Sequence, residues 1–222
     1  MCGFVLISSC NTKQNENNNK ASTEPTIKQI TSDSAFSTLK RLPESHDEWQ
    51  KIYTEQDKTF SLDSFNYVSQ YSDEFIYSSA KINNDFYKKY GSLIVYNKDK
   101  TKFIDPFSYY LTITIDQEGH LHRGGTEADQ EIAVVDIKTK KRYRIFFCGT
   151  PCFVSKVVWV TDDKIALMGI TTEEEDDNYT PTVWLIDLKK GTTTEYNYNK
   201  QIKDINPDVL LDNILQQKGI GD

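Results

Sequence analysis

The apolar positions of this chain change their period twice. Between residues 31 and 58 they recur at helical spacing. Phe36, Leu39 and Leu42 share a face of a short segment that Ser32 or Asp33 can cap and Pro43 ends. Ser45-His46-Asp47-Glu48 then has the S-x-x-E form of a capping box, and Trp49, Ile52 and Tyr53 follow at i, i+3 and i+4. The pattern predicts a mostly polar helix with one apolar stripe. From Thr59 the period shortens to runs of a few apolar residues between turn signals. Leu93-Ile94-Val95-Tyr96-Asn97 leads through Lys98-Asp99-Lys100-Thr101 to Lys102-Phe103. Ile132-Ala133-Val134-Val135-Asp136 leads through Lys138-Thr139-Lys140-Lys141 to Tyr143-Arg144-Ile145-Phe146. Val183-Trp184-Leu185-Ile186-Asp187 leads through Lys189-Lys190-Gly191 to Thr194-Glu195-Tyr196. Similar plans repeating over about 40 to 50 residues predict antiparallel units near 60–106, 107–147 and 153–198. At the end the spacing is helical again. Asn206 suits an N-cap, Pro207 the first helical position and Asp208 the helix dipole. Leu210, Leu211, Ile214 and Leu215 form one face, and Gly219 stands where a C-terminal cap is wanted. A helix over 207–218 should dock on the β part and cover an edge or open end of a sheet.

The segments EIAVVDIKTKKRYRI and TVWLIDLKKGTTTEY resemble the strand–turn–strand of a β-propeller blade, in which an apolar strand ends in Asp before a Lys/Thr/Gly turn. The resemblance covers residues 60 to 198 and implies a mainly β domain over 31–222 with three blade-like units. Propellers typically carry about 4–8 blades, so three units imply an incomplete ring. A β-sandwich is the alternative for the same hairpins.

The N-terminus has another character. Phe4-Val5-Leu6-Ile7 is a short apolar run, followed by Ser8, Ser9 and Cys10. Residues 10 to 29, CNTKQNENNNKASTEPTIKQ, are polar and of low complexity, with too little apolar surface to offset the entropy of ordering. Ile7-Ser8-Ser9-Cys10 resembles the lipobox of bacterial lipoproteins. The resemblance implies that residues 1–9 are a signal peptide, truncated at its basic end, and that the Cys10 thiol carries a lipid. Residues 10–30 would then be a disordered tether. The Asn-rich tract resembles tethers from AT-rich Gram-negative bacteria. Surface-exported lipoproteins of some such bacteria carry an acidic cluster after the cysteine, and Asn11-Thr12-Lys13-Gln14 lacks one. This places the expected protein on the periplasmic face of the outer membrane, held there by its lipid.

Composition narrows the partners. The 222 residues carry 26 Lys and Arg against 33 Asp and Glu, a net charge of −7, with no basic cluster to meet a phosphate backbone. A nucleic-acid partner is therefore not expected. The 13 Tyr and 11 Phe suit pleated, half-buried surfaces and agree with the β reading.

Candidate chemistry is sparse. Cys148-Gly149-Thr150-Pro151-Cys152 is a C-x3-C at a turn, compatible with a structural disulfide or with two free thiols. His120 and His122 lie at i, i+2 on one face of a strand, but no third ligand is visible in the sequence, and the adjacent Arg123 disfavours a cation, so no metal is expected. Glu173, Glu174, Glu175, Asp176 and Asp177 form a dense acidic run without calcium-loop spacing, which reads as a solvated loop and a contact for a basic partner. G-x-S-x-G, phosphate-loop and H-E-x-x-H motifs are absent. The expectation is a non-enzymatic envelope module without cofactor that binds another envelope protein or a glycan. An envelope glycan hydrolase using paired carboxylates and a periplasmic immunity-type inhibitor are the alternatives.

Overall fold

The computed structural model describes residues 34–72, 74–172 and 178–221. The proposed leader and tether, Cys10 and the acidic run Glu173 to Asp177 lie outside the described residues. Two helices come first, α1 (Ser34–Lys40) and α2 (Pro43–Gln56). A 3-10 turn, Leu62–Ser64, leads into β1 (Phe65–Ser72) and β2 (Ile76–Ser79). Then come α3 (Asn84–Tyr90), β3 (Val95–Tyr96) and β4 (Lys102–Asp105). Four strands follow: β5 (Leu111–Ile115), β6 (Leu121–Thr126), β7 (Gln130–Asp136) and β8 (Lys141–Cys148). The chain continues through β9 (Cys152–Thr161), β10 (Lys164–Thr171), β11 (Thr180–Asp187) and β12 (Thr192–Tyr198) to α4 (Pro207–Gln217).

The described chain is mainly β and antiparallel, and its strands form two five-stranded sheets and a two-stranded ribbon. The first sheet has the order β1-β12-β11-β10-β9, the second β2-β8-β7-β4-β3, and β5 pairs with β6 alone. β9 to β12 are neighbours in chain order, an antiparallel meander. The strands of the other two expected units are grouped differently. Phe65 to Ser72 leaves its neighbours and pairs with the edge of β12, Phe65 opposite Tyr198. β4 pairs across the expected boundary with β7, Ile104 opposite Val134. The described strands form no closed ring. The reason is edge satisfaction: β12 and β7 each offer a free row of backbone groups, and a strand from earlier in the chain occupies it.

Turn chemistry explains why the hairpins form where the sequence places them. The Asp136 carboxylate accepts from the backbone N and the hydroxyl of Thr139, at 2.7 and 2.8 Å. Asp187 accepts from the N–H groups of Lys189 and Lys190, at 3.1 and 3.0 Å. Each aspartate holds the first residues of its own turn, and Lys140 and Gly191 then adopt positive φ, 55° and 63°.

The two sheets pack face to face. Ile165 and Leu167 of β10, with Trp184 and Ile186 of β11, meet Ile104, Ile132 and Val134 of the second sheet in one apolar core. Alternation sends Ala166, Met168, Val183 and Leu185 to the opposite face, where they meet Leu39, Trp49, Leu210 and Leu211 of the helices and Leu111 and Ile113 of the ribbon. β10 and β11 are therefore buried on both faces, which is why IALMGI and TVWLI are continuous apolar runs. Gly169 sits at a register shift against β9, where an added Cβ would stand 1.9 Å from the Phe153 carbonyl oxygen. Buried Gln130 pins the sheets together: its amide donates to the carbonyls of Pro106 and Val154, and its oxygen accepts from Val154 N at 2.8 Å.

The helices depart from expectation in two places: α3 lies inside the segment read as a β unit at 60–106, where Asn83 caps it by accepting from Phe86 N, and α2 starts early. Trp49 and Tyr53 are buried with Phe60 and Phe65, and Phe36 stacks on Tyr196 at 4.3 Å between ring centres. α2 opens at Pro43, three residues earlier than an N-cap at Ser45 implies, and its N-cap, Leu42, makes no side-chain cap bond. Proline's fixed φ suits the first turn, so the residue expected to end one helix starts the next. His46 lies inside that helix, buried, with Gln50 Nε2 at 2.9 Å from its Nδ1. α4 is capped as predicted, with the Asn206 side chain accepting from Val209 N at 3.0 Å and Gly219 at φ 66°.

Candidate functional site

The outer face of the second sheet gathers charge. In β4, Ile104 points into the intersheet core, so Phe103 and Asp105 point out. In β7 the same rule turns Glu131, Ala133 and Val135 toward the outer face, where all three are buried, while Ile132 and Val134 stay inside. The register places Arg144 opposite Ala133 and Arg142 opposite Val135. Small Ala133 leaves room for the Arg142 side chain to lie across β7. Arg142 Nη1 makes a short contact with Glu131 Oε1, and its Nη2 stands 3.9 Å from Asp105 Oδ2. Arg144 Nη1 is 3.6 Å from Glu131 Oε2, and its guanidinium lies 5.3 Å from the centre of the Phe147 ring.

Asp105 is 2 % exposed. It accepts from the Ser108 backbone N at 3.0 Å and from the Ser108 hydroxyl, which fixes the turn that follows β4. A buried carboxylate needs such partners, because leaving it unpaired costs several kcal/mol, roughly 3–5 by analogy with broken buried pairs. Asp105, Ser108, Arg142 and Lys81 line a cavity of about 280 Å³ together with Phe86, Tyr90, Tyr109 and the buried Phe103. The Tyr90 hydroxyl donates to the Leu111 carbonyl at 2.8 Å, and burial raises its pKa above the usual phenol value. Tyr109 is exposed at the rim. A larger groove of about 400 Å³ runs between α2 and α4, past Glu48, Lys51 and Asn213, but no buried charge faces it.

The arrangement combines aromatic rings with hydrogen-bonding groups in one lining. Aromatic faces suit the apolar face of a ring, and Arg142 and Lys81 suit hydroxyl groups, while Asp105 is enclosed by Ser108 and serves to hold the turn.

Of the residues singled out in the sequence, Cys148 and Cys152 are joined in a disulfide with Cα atoms 5.6 Å apart. It closes the reversal from β8 to β9, where the chain passes from the second sheet to the first. Thr172, which precedes the acidic run in the sequence, donates its N–H to the Pro151 carbonyl at 2.7 Å, beside that disulfide. His120 and His122 lie in the β5–β6 hairpin, and both reach the same carboxylate oxygen, Asp116 Oδ2, at 3.2 and 3.1 Å. The His122 ring and the backbone N–H groups of His120 and Glu118 hold the Asp116 carboxyl well below the usual range. Arg123 does not oppose a cation there. Its side chain turns to α4 and pairs with Asp208 and Asp212, at 3.3 and 3.0 Å.

Sequence reasoning passed over Asp105, Glu131, Arg142 and Arg144. The available signal was charge within otherwise apolar strands: Glu131 in QEIAVVD, and Arg142 and Arg144 at alternate positions of KRYRIFF. Comparison of the chain with family models, curated proteins and solved structures returns no match.

Proposed function

We propose that this chain is a lipid-anchored envelope lipoprotein whose β body is a non-enzymatic binding module for a glycan. The observation that carries the binding reading is the aromatic-lined cleft that also presents Arg142 and Lys81. Its volume suits one sugar-sized ring. The lipobox-like Ile7-Ser8-Ser9-Cys10 and the polar tract after it support attachment through Cys10 at the periplasmic face of a Gram-negative outer membrane. The Cys148–Cys152 bridge agrees with an oxidising compartment outside the cytoplasm.

Mass spectrometry of the N-terminal peptide from native membranes tests the anchor: an acylated Cys10 without residues 1–9 is expected, and an unmodified peptide retaining Met1 overturns it. Titration with soluble envelope glycan fragments tests the cleft. Tyr109→Ala should weaken binding at least tenfold, and equal affinity of wild type and Tyr109→Ala would remove the cleft from the reading. Cleavage of the fragments would instead establish the glycan-hydrolase alternative.

A further inference from the structure

The β5–β6 hairpin carries four potential ligands at alternate positions, Asp116, Glu118, His120 and His122. His120 Nδ1 lies 3.2 Å and His122 Nε2 3.1 Å from Asp116 Oδ2, and Glu118 Oε2 lies 3.6 Å from His120 Nδ1. Bonds of about 2.0–2.1 Å to a tetrahedral zinc ion place neighbouring ligand atoms about 3.3 Å apart. These three separations lie near that edge length, and the ligand atoms of Asp116, Glu118 and His120 all fall within 4.8 Å of one another. We propose that Asp116, Glu118 and His120 form a binding site for one borderline divalent cation of the zinc class, which His122, already beside the Asp116 oxygen, joins by a side-chain turn when the ion binds.

The hairpin itself supports this geometry. Asp116 Oδ1 accepts from the backbone N–H groups of Glu118 and His120, at 2.8 and 2.9 Å, which leaves Oδ2 turned toward both imidazoles. Such an outer hydrogen-bond shell orients a metal-binding carboxylate. Gly119 permits the tight turn, with φ 91° and its N–H donating to the Asp116 carbonyl at 3.2 Å. Strand alternation puts His120 and His122 on one face and sends Arg123 to Asp208 and Asp212 on α4. The second histidine is steadied from below, because Leu121 O accepts from Gly221 N and Gly221 O accepts from Arg123 N, at 2.8 and 2.7 Å. Two imidazoles and two carboxylates match zinc, nickel or copper, whereas calcium calls for about 6–8 oxygen ligands. In the bound state each imidazole presents a bare nitrogen to the ion, its proton residing on the other ring nitrogen.

Equilibrium dialysis of the full chain, stripped with chelator and returned to zinc chloride, tests the site. One zinc ion per chain is expected, and cobalt in its place should give the intense visible absorption of four-coordinate geometry. His120→Ala and His122→Ala should each weaken zinc binding at least tenfold, while the metal-free variants keep the wild-type melting temperature because these side chains are exposed or half-exposed. Calcium in large excess should not displace the zinc. Failure to bind zinc saturably would overturn the proposal. So would equal binding by the double histidine variant, which would assign the ion to other groups such as the acidic run at 173–177, or displacement of zinc by equimolar calcium.

Discussion

The first and second sheets have the same strand number and the same antiparallel pairing, yet they use their faces differently. β10 and β11 of the first sheet are apolar on both sides, enclosed by helices on one and by the second sheet on the other. β7 and β8 of the second sheet are apolar on the inner side, while their outer side is mixed: Val135 is buried with Phe103, Ile94 and the α3 residues Phe86 and Tyr87. Their outer side carries Glu131, Arg142 and Arg144, joined by Asp105 from β4. A sheet in the middle of a stack is committed to packing. A sheet at its outside has one face to spend on recognition, and there the charged residues are tied to each other so that they can be buried at all.

The largest test of this contrast is Trp184→Ala. Trp184 is 2 % exposed and packs against Phe146 at 5.1 Å between ring centres. Its truncation should cost ~3–5 kcal/mol in urea unfolding and leave the cleft residues untouched. A loss under about 1 kcal/mol would mean that the intersheet core is not continuous. Next comes Arg142→Met, which removes the guanidinium shared by Glu131 and Asp105, leaves them only Arg144 and Ser108, and should cost ~2 kcal/mol. Adding Glu131→Gln to that variant should recover part of the loss. If the second change deepens it, the charges on the outer face do not act as one group. Reduction of the Cys148–Cys152 bridge should cost ~2 kcal/mol, because the loop it closes is short. The melting temperature should fall on adding reductant to wild type and stay constant in the double Cys→Ala variant.

The smallest effect concerns Glu195 of β12. Burial raises its pKa in the folded protein. A group with a raised folded value holds its proton more tightly in the fold, so stability is lost as pH rises through that value. Glu195→Gln should therefore raise the urea midpoint at neutral pH, and the gain should fade toward about pH 4, where the unfolded carboxyl is also protonated. A gain that stays constant with pH would place its cause elsewhere than in the carboxyl.

How far the sequence could be read depends on distance along the chain. The turns after Asp136 and Asp187 and the α4 cap at Asn206 were legible because each involves bonds over two or three residues. The start of α2 was misplaced by three residues, N-cap Leu42 in place of Ser45, since Pro43 and Ser45 both carry helix-start signals. The histidine pair was visible, but Asp116 was not recognised as its third member, because only closure of the hairpin folds that carboxylate back over the two rings. The cleft residues were illegible, since nothing in QEIAVVD or KRYRIFF says that α3 and Asp105 lie over them.

By itself, then, the order of residues determined where strands, turns and helices begin, because dihedral preference, capping and side-chain alternation act over a few neighbours. Only the tertiary structure decided which strands share a sheet, which face is closed on both sides and which charges meet. Those outcomes rest on long-range edge pairing and burial, where Phe65 finds Tyr198 and Arg142 finds Asp105 for reasons that no local pattern contains.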